Sequence, residues 1–209
     1  MTLCPPLPLT AELPASSLLS APDAELVAQL QQGSEPAFRL FVERYQHRVY
    51  CLALSLLRSP AEAEDVAQEV FVEVYQTIAS FRGEAALSTW VYRLATSRAL
   101  RHRRWASAKK RLAQLTSLLG LHNEILHELP DHAHPQALLE GEQQLQHLRA
   151  RIGQLPDKQQ VAFVLRHEHE LSYEEIAAVL ATSVAAVESL LYRARHTLRQ
   201  SLHPRSRHV

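Results

Sequence analysis

Residues 171–190 read LSYEEIAAVLATSVAAVESL, and this stretch decides the fold of the C-terminal part of the chain. Ser172 is followed three residues later by Glu175. This spacing matches a capping box, in which each side chain accepts a hydrogen bond from the other residue's backbone N–H. Ile176 and Leu180 then lie four residues apart, which places both on the inward side of one helix. The segment therefore predicts a helix that begins beside Ser172.

A second helix is predicted directly after this one. The turn at 181–183 is short, Ser183 can cap the next helix, and Val187 and Leu190 are spaced to close the apolar contact. Two helices joined this way form a helix-turn-helix, whose second helix reads the major groove of DNA. An ordinary helical hairpin is the alternative. The outward face of the second helix would carry Ala185, Ala186, Glu188, Ser189, Tyr192, Arg193 and His196, with Arg195 and Arg199 available for phosphates.

A basic run lies in the N-terminal half of the chain. Residues 85–111 contain eight Lys and Arg and no acid, with Trp90, Tyr92 and Trp105 interleaved. Basic side chains attract phosphates, and aromatic rings offer stacking faces for unpaired bases. A solvated basic helix with aromatic residues in the core is the alternative reading.

An acidic helix precedes the basic run. Its apolar residues recur at helical spacing, and its other face carries Glu62, Glu64, Asp65, Gln68, Glu69 and Glu73. Negative charge is the wrong sign for DNA. A partner at this face is therefore expected to be a protein.

The whole chain is predicted to be all-α, with two small helical domains joined by a flexible linker. No stretch alternates with period two, Gly is rare, and helix-favouring residues are plentiful. Ser88 or Thr89 is predicted to cap the helix that carries the basic run. The predicted divisions are a disordered Pro-rich tail over 1–21, a first domain over 22–106, an acidic, His-containing linker over 107–142, a second domain over 143–203 and a tail over 204–209.

The charges are segregated along the chain, although Lys+Arg and Asp+Glu are both 22 and the formal net charge is zero. The positive charge is concentrated in 85–111, whereas 112–142 holds five acids and no Lys or Arg. Overall neutrality argues against strong autonomous DNA binding and is compatible with binding as one subunit of a larger assembly. No run of apolar residues is long enough to predict a transmembrane helix.

Several motifs together resemble the bacterial sigma-70 family of RNA polymerase sigma factors. The run at 63–71, AEDVAQEVF, and the segments at 81–84 and 88–95 are similar to sigma region 2. The segments at 155–161, 171–177 and 192–195 are similar to region 4. A chain that has regions 2 and 4 but lacks regions 1.1 and 3 is typical of the extracytoplasmic-function (ECF) subfamily.

The resemblance implies a sigma factor that binds core RNA polymerase, directs it to −10 and −35 promoter elements and promotes DNA melting. It implies a cytoplasmic, non-enzymatic protein with no cofactor, no metal and no membrane insertion. Its partners would be the clamp helices and flap of polymerase, promoter DNA and an anti-sigma factor. The polymerase-binding positions would be Asp65, Gln68 and Glu69. The −10 positions would be Arg82, Ser88, Thr89, Trp90, Arg93, Ser97, Arg98 and Arg101. The −35 positions would be Ala185, Glu188, Ser189, Tyr192, Arg193 and Arg195.

The chain departs from the family at several of these positions. Relatives often have Lys or Arg where Glu188 stands and Arg where Leu190 stands, so two −35 contacts are missing. Many relatives have Asn in place of Ser97 and Asp in place of Arg101, which leaves the −10 sequence preference open.

Two other classes of protein compete with this reading. One is a helix-turn-helix repressor or activator that does not bind polymerase. The other is a metalloprotein, suggested by 12 histidines, four of which lie in the linker. Their spacings match no common zinc pattern, and prolines beside them disfavour a preformed site.

Overall fold

The structure is a computed structural model that describes residues 23–118 and 140–202. Within these two ranges it contains eight α-helices, one short 3₁₀ turn and no strand, which confirms the predicted all-α class. The helices are α1 (Asp23–Gln31), α2 (Glu35–Leu57), α3 (Pro60–Thr77), α4 (Leu87–Leu118), α5 (Glu140–Ile152), α6 (Asp157–His167), α7 (Tyr173–Leu180) and α8 (Val184–Leu202), and the 3₁₀ turn is Ile78–Ser80. The predicted tails and most of the predicted linker lie outside the described residues.

Local capping fixes where the long helices of the N-terminal half begin. The Ser34 hydroxyl accepts a hydrogen bond from the Ala37 backbone N–H at 3.4 Å, and Ser59 caps α3 in the same way through Glu62. A proline follows within the first turn of each helix, where its missing N–H has no partner to lose. Arg58 ends α2 in the left-handed conformation, with φ of 64°.

An aromatic cluster forms the centre of the first domain. Phe41 is fully buried, with ring-centroid distances of 4.8 Å to Tyr45 and 6.0 Å to Phe71. Val66 and Val70 of α3 are also fully buried. The apolar stripes of α2, α3 and α4 meet here and leave the acidic face of α3 in solvent.

The second domain is built from α5 to α8. Its core contains Leu165, Ile176, Val187 and Leu191, each at most 1% exposed. The sequence predicted that Leu190 closes this core. Leu191 is the residue that is buried there, and Leu190 is only half buried.

Two further predictions were wrong in detail. The helix with the basic run begins at Leu87, because the Trp90 backbone N–H already bonds the Ala86 carbonyl at 3.1 Å; neither Ser88 nor Thr89 caps it. Tyr75 continues the helical spacing of the apolar residues of α3, which predicts that it is buried, but it is 64% exposed. Its ring packs edge-on against Phe38 near the rim of the cluster, so its outer side faces solvent.

A dense set of contacts joins the two domains. The Arg93 guanidinium donates to the Ala178 carbonyl at 2.6 Å, and the Tyr92 hydroxyl lies 3.2 Å from His169 Nδ1. Gln160 is fully buried and donates to the Ser55 carbonyl at 3.2 Å. Further polar contacts join Arg103 to Asp157 and Gln160, Arg104 to Asp157 at 3.8 Å, and Ser55 to Glu168. We call this set the domain interface.

Gly153 lies at the edge of the domain interface, in the turn after α5. A Cβ atom placed on it would stand 2.8 Å from Cδ of Arg58 at the end of α2. Real Cβ atoms almost never come this close to another heavy atom. A side chain at position 153 would therefore fit only if the Arg58 side chain moved.

His169 should make the stability of the folded chain depend on pH. Burial, with smaller effects from Arg48 and His47, lowers the pKa of His169 from 6.5 to about 4, and its Nε2 is buried without a hydrogen-bond partner. Between pH 6.5 and about 4 the unfolded chain binds a proton at this residue and the folded chain does not. The unfolding free energy is therefore at its full value above pH 6.5 and decreases as the pH falls toward 4.

The variant His169→Asn keeps a polar atom near the Tyr92 hydroxyl but does not titrate. From about pH 8 to about pH 5.5, we expect wild type to lose about 1.4 kcal/mol of unfolding free energy relative to this variant, measured by urea unfolding. Burial raises the pKa of Glu168, which favours the folded state as pH falls, but this effect is common to both proteins and cancels in the comparison. An identical pH dependence in the two proteins would contradict the prediction.

Candidate nucleic-acid interface

The helix-turn-helix geometry of α7 and α8 is held by local hydrogen bonds. The Ser172 backbone N–H donates to Glu175 Oε2 at 2.7 Å, and the Glu175 N–H donates to Ser172 Oγ at 3.1 Å, so the predicted capping box is present. Ser183 caps α8 by accepting from the Ala186 N–H at 3.2 Å. The two helices meet at 98°, within the range of DNA-binding helix-turn-helix motifs.

The turn between α7 and α8 carries backbone strain. Ala181 adopts φ of 49°, a left-handed conformation that costs an L-residue about 1–2 kcal/mol. Glycine takes this conformation without the Cβ penalty but loses more entropy on folding. We expect Ala181→Gly to raise the unfolding free energy by about 0.5–1 kcal/mol, measured by chemical denaturation. A destabilised variant would contradict this account of the turn.

The outward face of α8 is open to solvent. Among the predicted −35 positions, Ala185, Glu188, Ser189, Tyr192, Arg193 and Arg195 are all exposed. Four of them line one shallow depression: Glu188, Ser189, Tyr192 and Arg193. Tyr192 is 68% exposed and its ring lies roughly parallel to that of His196, 6.3 Å away. The face thus combines a flat aromatic surface, a hydroxyl, a carboxylate and a guanidinium.

The acidic face of α3 lies on the first domain. Asp65, Gln68 and Glu69 are all exposed and occupy adjacent turns of one side of the helix. The same side continues into Val72, 56% exposed, and Tyr75. Val72 was not predicted as a surface residue, although it lies three residues after Glu69 and four after Gln68, a spacing that places it on the same side of the helix.

The predicted −10 residues are unequally exposed. Arg82, Arg93, Ser97 and Arg101 are exposed, whereas Ser88, Trp90 and Arg98 are partly buried. Thr89 is 4% exposed, so its expected place on a DNA-facing surface does not agree with the structure. The reason is the helix start at Leu87, which turns Thr89 toward the core. Trp90 packs against Phe81, with ring centroids 5.1 Å apart.

Arg98 connects two of the predicted surfaces. It lies on α4 and forms ion pairs with Glu73 and, at 3.3 Å, with Glu69 of α3. The hydrogen bond to Glu73 raises the pKa of the guanidinium, which therefore stays charged. A predicted DNA-contacting residue thus touches a predicted polymerase-contacting one.

Arg103 is the residue whose role the sequence analysis missed. It lies on α4 within the basic run, yet its guanidinium faces the second domain, where it bonds Asp157 and Gln160. Its partners lie more than 50 positions away in sequence. No local pattern could have separated it from the neighbouring arginines.

Within the two described ranges, no group of three or more His, Cys, Asp or Glu residues is placed to hold a metal ion. The linker histidines His122, His127, His132 and His134 lie outside those ranges. Within the same ranges, no single helix has both the length and the apolar character to cross a membrane; the bent pair α7–α8 meets the criterion on length and composition only.

Known proteins resemble this chain over most of its length. Residues 41–108 match the family model "Sigma-70 region 2", and residues 145–198 match "Sigma-70, region 4". The RNA polymerase sigma-H factor of Pseudomonas aeruginosa is 34% identical over 182 residues, which cover 87% of this chain and 94% of that protein. The ECF RNA polymerase sigma-E factor of Escherichia coli is 33% identical over 182 residues, which cover 87% of this chain and 95% of that protein.

Solved structures agree on the fold. CnrH, solved in complex with the cytosolic domain of CnrY, aligns with a TM-score of 0.64 and 23% identity over 88% of this chain and 99% of that one. The sigma factor RpoE of Bartonella quintana, solved with the anti-sigma factor NepR, aligns with a TM-score of 0.55 and 22% identity over 81% of this chain and 98% of that one. With both regions matched in order and the relatives covered nearly end to end, the chain belongs to the sigma-70 family of RNA polymerase sigma factors, in the ECF group.

Proposed function

We propose that this chain binds core RNA polymerase through α3, reads promoter DNA through α4 and α8, and promotes melting at the start of transcription. The observation that carries the proposal is the separation of three exposed surfaces of different chemistry on one two-domain chain. An acidic face on α3 suits a protein partner, while the basic α4 and the helix-turn-helix suit DNA.

The polymerase contact is assigned to Asp65, Gln68 and Glu69. The exposed Asp65 carboxylate and Gln68 amide can meet basic or polar groups of the clamp helices, and Glu69 adds an exposed carboxylate that is also paired with Arg98. Val72 and Tyr75 extend the same side with exposed apolar area, the kind of surface that fills the centre of a protein interface. The combination favours a protein rather than a nucleic acid at this face.

The −10 contact is assigned to α4 and the preceding loop. Arg82, Arg93, Ser97 and Arg101 present exposed groups for backbone and base edges, and Ser88 and Trp90 lie beside them, with Trp90 packed on Phe81. Capturing an unpaired base costs a few kcal/mol of unstacking, which pocket contacts and phosphate neutralisation must offset. Thr89 would act from the core, by fixing the start of α4.

The −35 contact is assigned to the depression on α8. Arg193 and Arg195 can donate hydrogen bonds to phosphates or to guanine. The Ser189 hydroxyl can donate to or accept from a base edge. Glu188 can accept from a cytosine amino group where relatives often have a cation. Leu190 points partly into the core and offers no phosphate contact.

The remaining assignments follow from family membership. We infer that the chain acts in the cytoplasm without enzymatic activity, that its second domain also meets the polymerase flap, and that an anti-sigma factor restrains it. The solved complexes of CnrH with CnrY and of RpoE with NepR support the last point by analogy of fold.

A run-off transcription assay with core polymerase on a library of genomic promoters tests the proposal. Wild-type protein is expected to produce specific transcripts that core polymerase alone does not. The variant Asp65→Ala/Gln68→Ala should bind core polymerase about ten-fold more weakly, because two exposed polar contacts are lost at about 0.7 kcal/mol each. Competition binding with labelled wild-type protein measures the change.

A matched control removes the same residue types elsewhere in the first domain. Glu25→Ala/Gln32→Ala takes one exposed acid and one exposed glutamine from α1 and its end, and it should bind polymerase like wild type. If the α3 variant binds as well as this control, the polymerase contact does not lie at Asp65 and Gln68.

A further inference from the structure

Gln31, the last residue of α1, joins that helix to the loop that precedes α4. Its side-chain Nε2 donates to the Phe81 carbonyl at 2.8 Å and to the Ile78 carbonyl at 3.3 Å. An amide NH₂ group carries two hydrogens, so it can serve both carbonyls at once. The end of α1 is thereby connected to the place where the 3₁₀ turn ends and the loop begins.

The helix that carries Gln31 is firmly held in the first domain. Leu26 and Leu30 of α1 are buried in the core, and the Asp23 carboxylate pairs with Arg44 of α2 at 2.7 Å. Gln31 follows Leu30 directly, so the core fixes its backbone while its amide reaches the loop. The contact therefore links the loop to a rigid part of the domain.

The loop has few restraints of its own. The Phe81 N–H closes the 3₁₀ turn by donating to the Ile78 carbonyl at 3.0 Å. Within the described part of the chain, residues 82–85 form no backbone-to-backbone hydrogen bond. Gly83 adopts φ of 71°, a conformation that glycine takes without a Cβ penalty. Loss of the support at Phe81 would therefore leave the following residues freer to move.

Phe81 connects this support to two predicted −10 residues. Arg82 follows it directly in the chain and is exposed. Trp90 packs against the Phe81 ring, with ring centroids 5.1 Å apart and planes inclined at 46°. A shift of Phe81 would therefore displace both a cation and an aromatic ring in the segment assigned to the −10 element.

We propose that Gln31 is a positioning residue for −10 recognition: it fixes the loop at Phe81 and thereby sets where Arg82 and Trp90 stand when they meet DNA. This rests on the proposed function, since it assumes that these two residues contact the −10 element. Hydrogen bonds to base edges depend on distance and angle, whereas attraction to phosphates carries no sequence information. A displaced loop should therefore lose base discrimination in particular, as expected when the residues that support a binding site are removed.

The test replaces the amide and leaves its length and charge unchanged. Gln31→Met removes both donated hydrogen bonds, and Gln32→Met makes the same substitution at the next residue, whose exposed side chain forms no hydrogen bond within the described ranges. Transcription is measured with core polymerase on a promoter found in the run-off library. The same promoter with one −10 base pair replaced serves as its mismatched partner.

We expect Gln31→Met to reduce transcription from the matched promoter by about five-fold. This factor corresponds to about 1 kcal/mol, the net value of one typical hydrogen bond, because the contact is open to solvent. The mismatched promoter already lacks the base contact, so the ratio of matched to mismatched transcription should fall by about the same factor. Gln32→Met should keep both the transcription and the ratio of wild type.

Two further measurements separate positioning from a general loss of structure. Competition binding of Gln31→Met to core polymerase should stay within about two-fold of wild type, and circular dichroism should show unchanged helicity. In a Trp90→Ala background, Gln31→Met should lower the ratio by less than about two-fold, because residues that act through one another are not additive. Gln31→Glu, which keeps the shape but offers no hydrogen to either carbonyl, should repeat the loss of discrimination.

The outcomes distinguish this role from the proposed function. An unchanged ratio in Gln31→Met would overturn the positioning role even if total transcription fell, because an equal loss on both promoters indicates a general defect. An equal fall in Gln32→Met, or full additivity with Trp90→Ala, would overturn it as well. Wild-type protein that directs no transcript would reject the proposed function, and wild-type protein that does not distinguish the two promoters would reject its −10 assignment.

Discussion

Replacing Phe41 with alanine is expected to lower the unfolding free energy of the first domain by about 3–5 kcal/mol. The ring is fully buried between Tyr45 and Phe71, so its loss removes apolar contact and leaves a cavity that the surrounding helices can fill only in part. The acidic face of α3 and the basic α4 are both positioned by this cluster. Chemical denaturation followed by circular dichroism measures the loss.

Tyr75→Ala is the matched comparison. It also removes an aromatic ring from the same cluster, but that ring is 64% exposed and packs against Phe38 at the rim. The expected loss of stability is under about 1 kcal/mol, as for most surface substitutions. Equal losses in the two variants would mean that the core is not centred on Phe41.

Tyr192→Ala/Arg193→Ala is expected to reduce transcription from a promoter that requires its −35 element by about 100-fold. Each side chain lies on the exposed face of α8 and lines the same depression. A base or phosphate contact is worth about 1–3 kcal/mol, and two lost contacts of about 1.4 kcal/mol each give this factor. Run-off transcription under limiting sigma factor measures the effect.

Two controls accompany this prediction. Lys158→Ala removes an exposed cation at the start of α6 in the same domain and should leave transcription within about two-fold of wild type, because it lies off the recognition face. Binding of the double variant to core polymerase in the absence of DNA should be unchanged. A comparable loss of polymerase binding would reassign Tyr192 and Arg193 from promoter reading to assembly.

Local sequence patterns predicted the helix-turn-helix well because its determinants are local. The Ser172–Glu175 capping box and the Ser183–Ala186 cap each span three residues, and the buried Ile176 directly follows the box. The same reason explains the starts of α2 and α3, where a serine and a following proline define the first turn. For these elements the structure adds distances rather than a different arrangement.

The errors arose where a distant contact or a helix phase decided the outcome. Thr89 was misplaced because α4 begins at Leu87, so Thr89 is already helical and lies on the same side as the buried Tyr92 and Thr96, three and seven residues further on. Arg103 could not be distinguished from Arg101 or Arg104 by sequence, because its partners Asp157 and Gln160 lie in the other domain. Which cations face DNA and which face the protein is a property of tertiary packing.

Gly153 gives the packing of the two domains a mutational consequence. Its backbone does not adopt a left-handed conformation, so the local turn alone would accept alanine or serine as readily as glycine. The atoms that a side chain at 153 would meet first belong to the flexible side chain of Arg58, which lies in the other domain. A substitution at this one surface turn is therefore felt across the domain interface, as a displacement of the Arg58 side chain rather than as strain within the second domain.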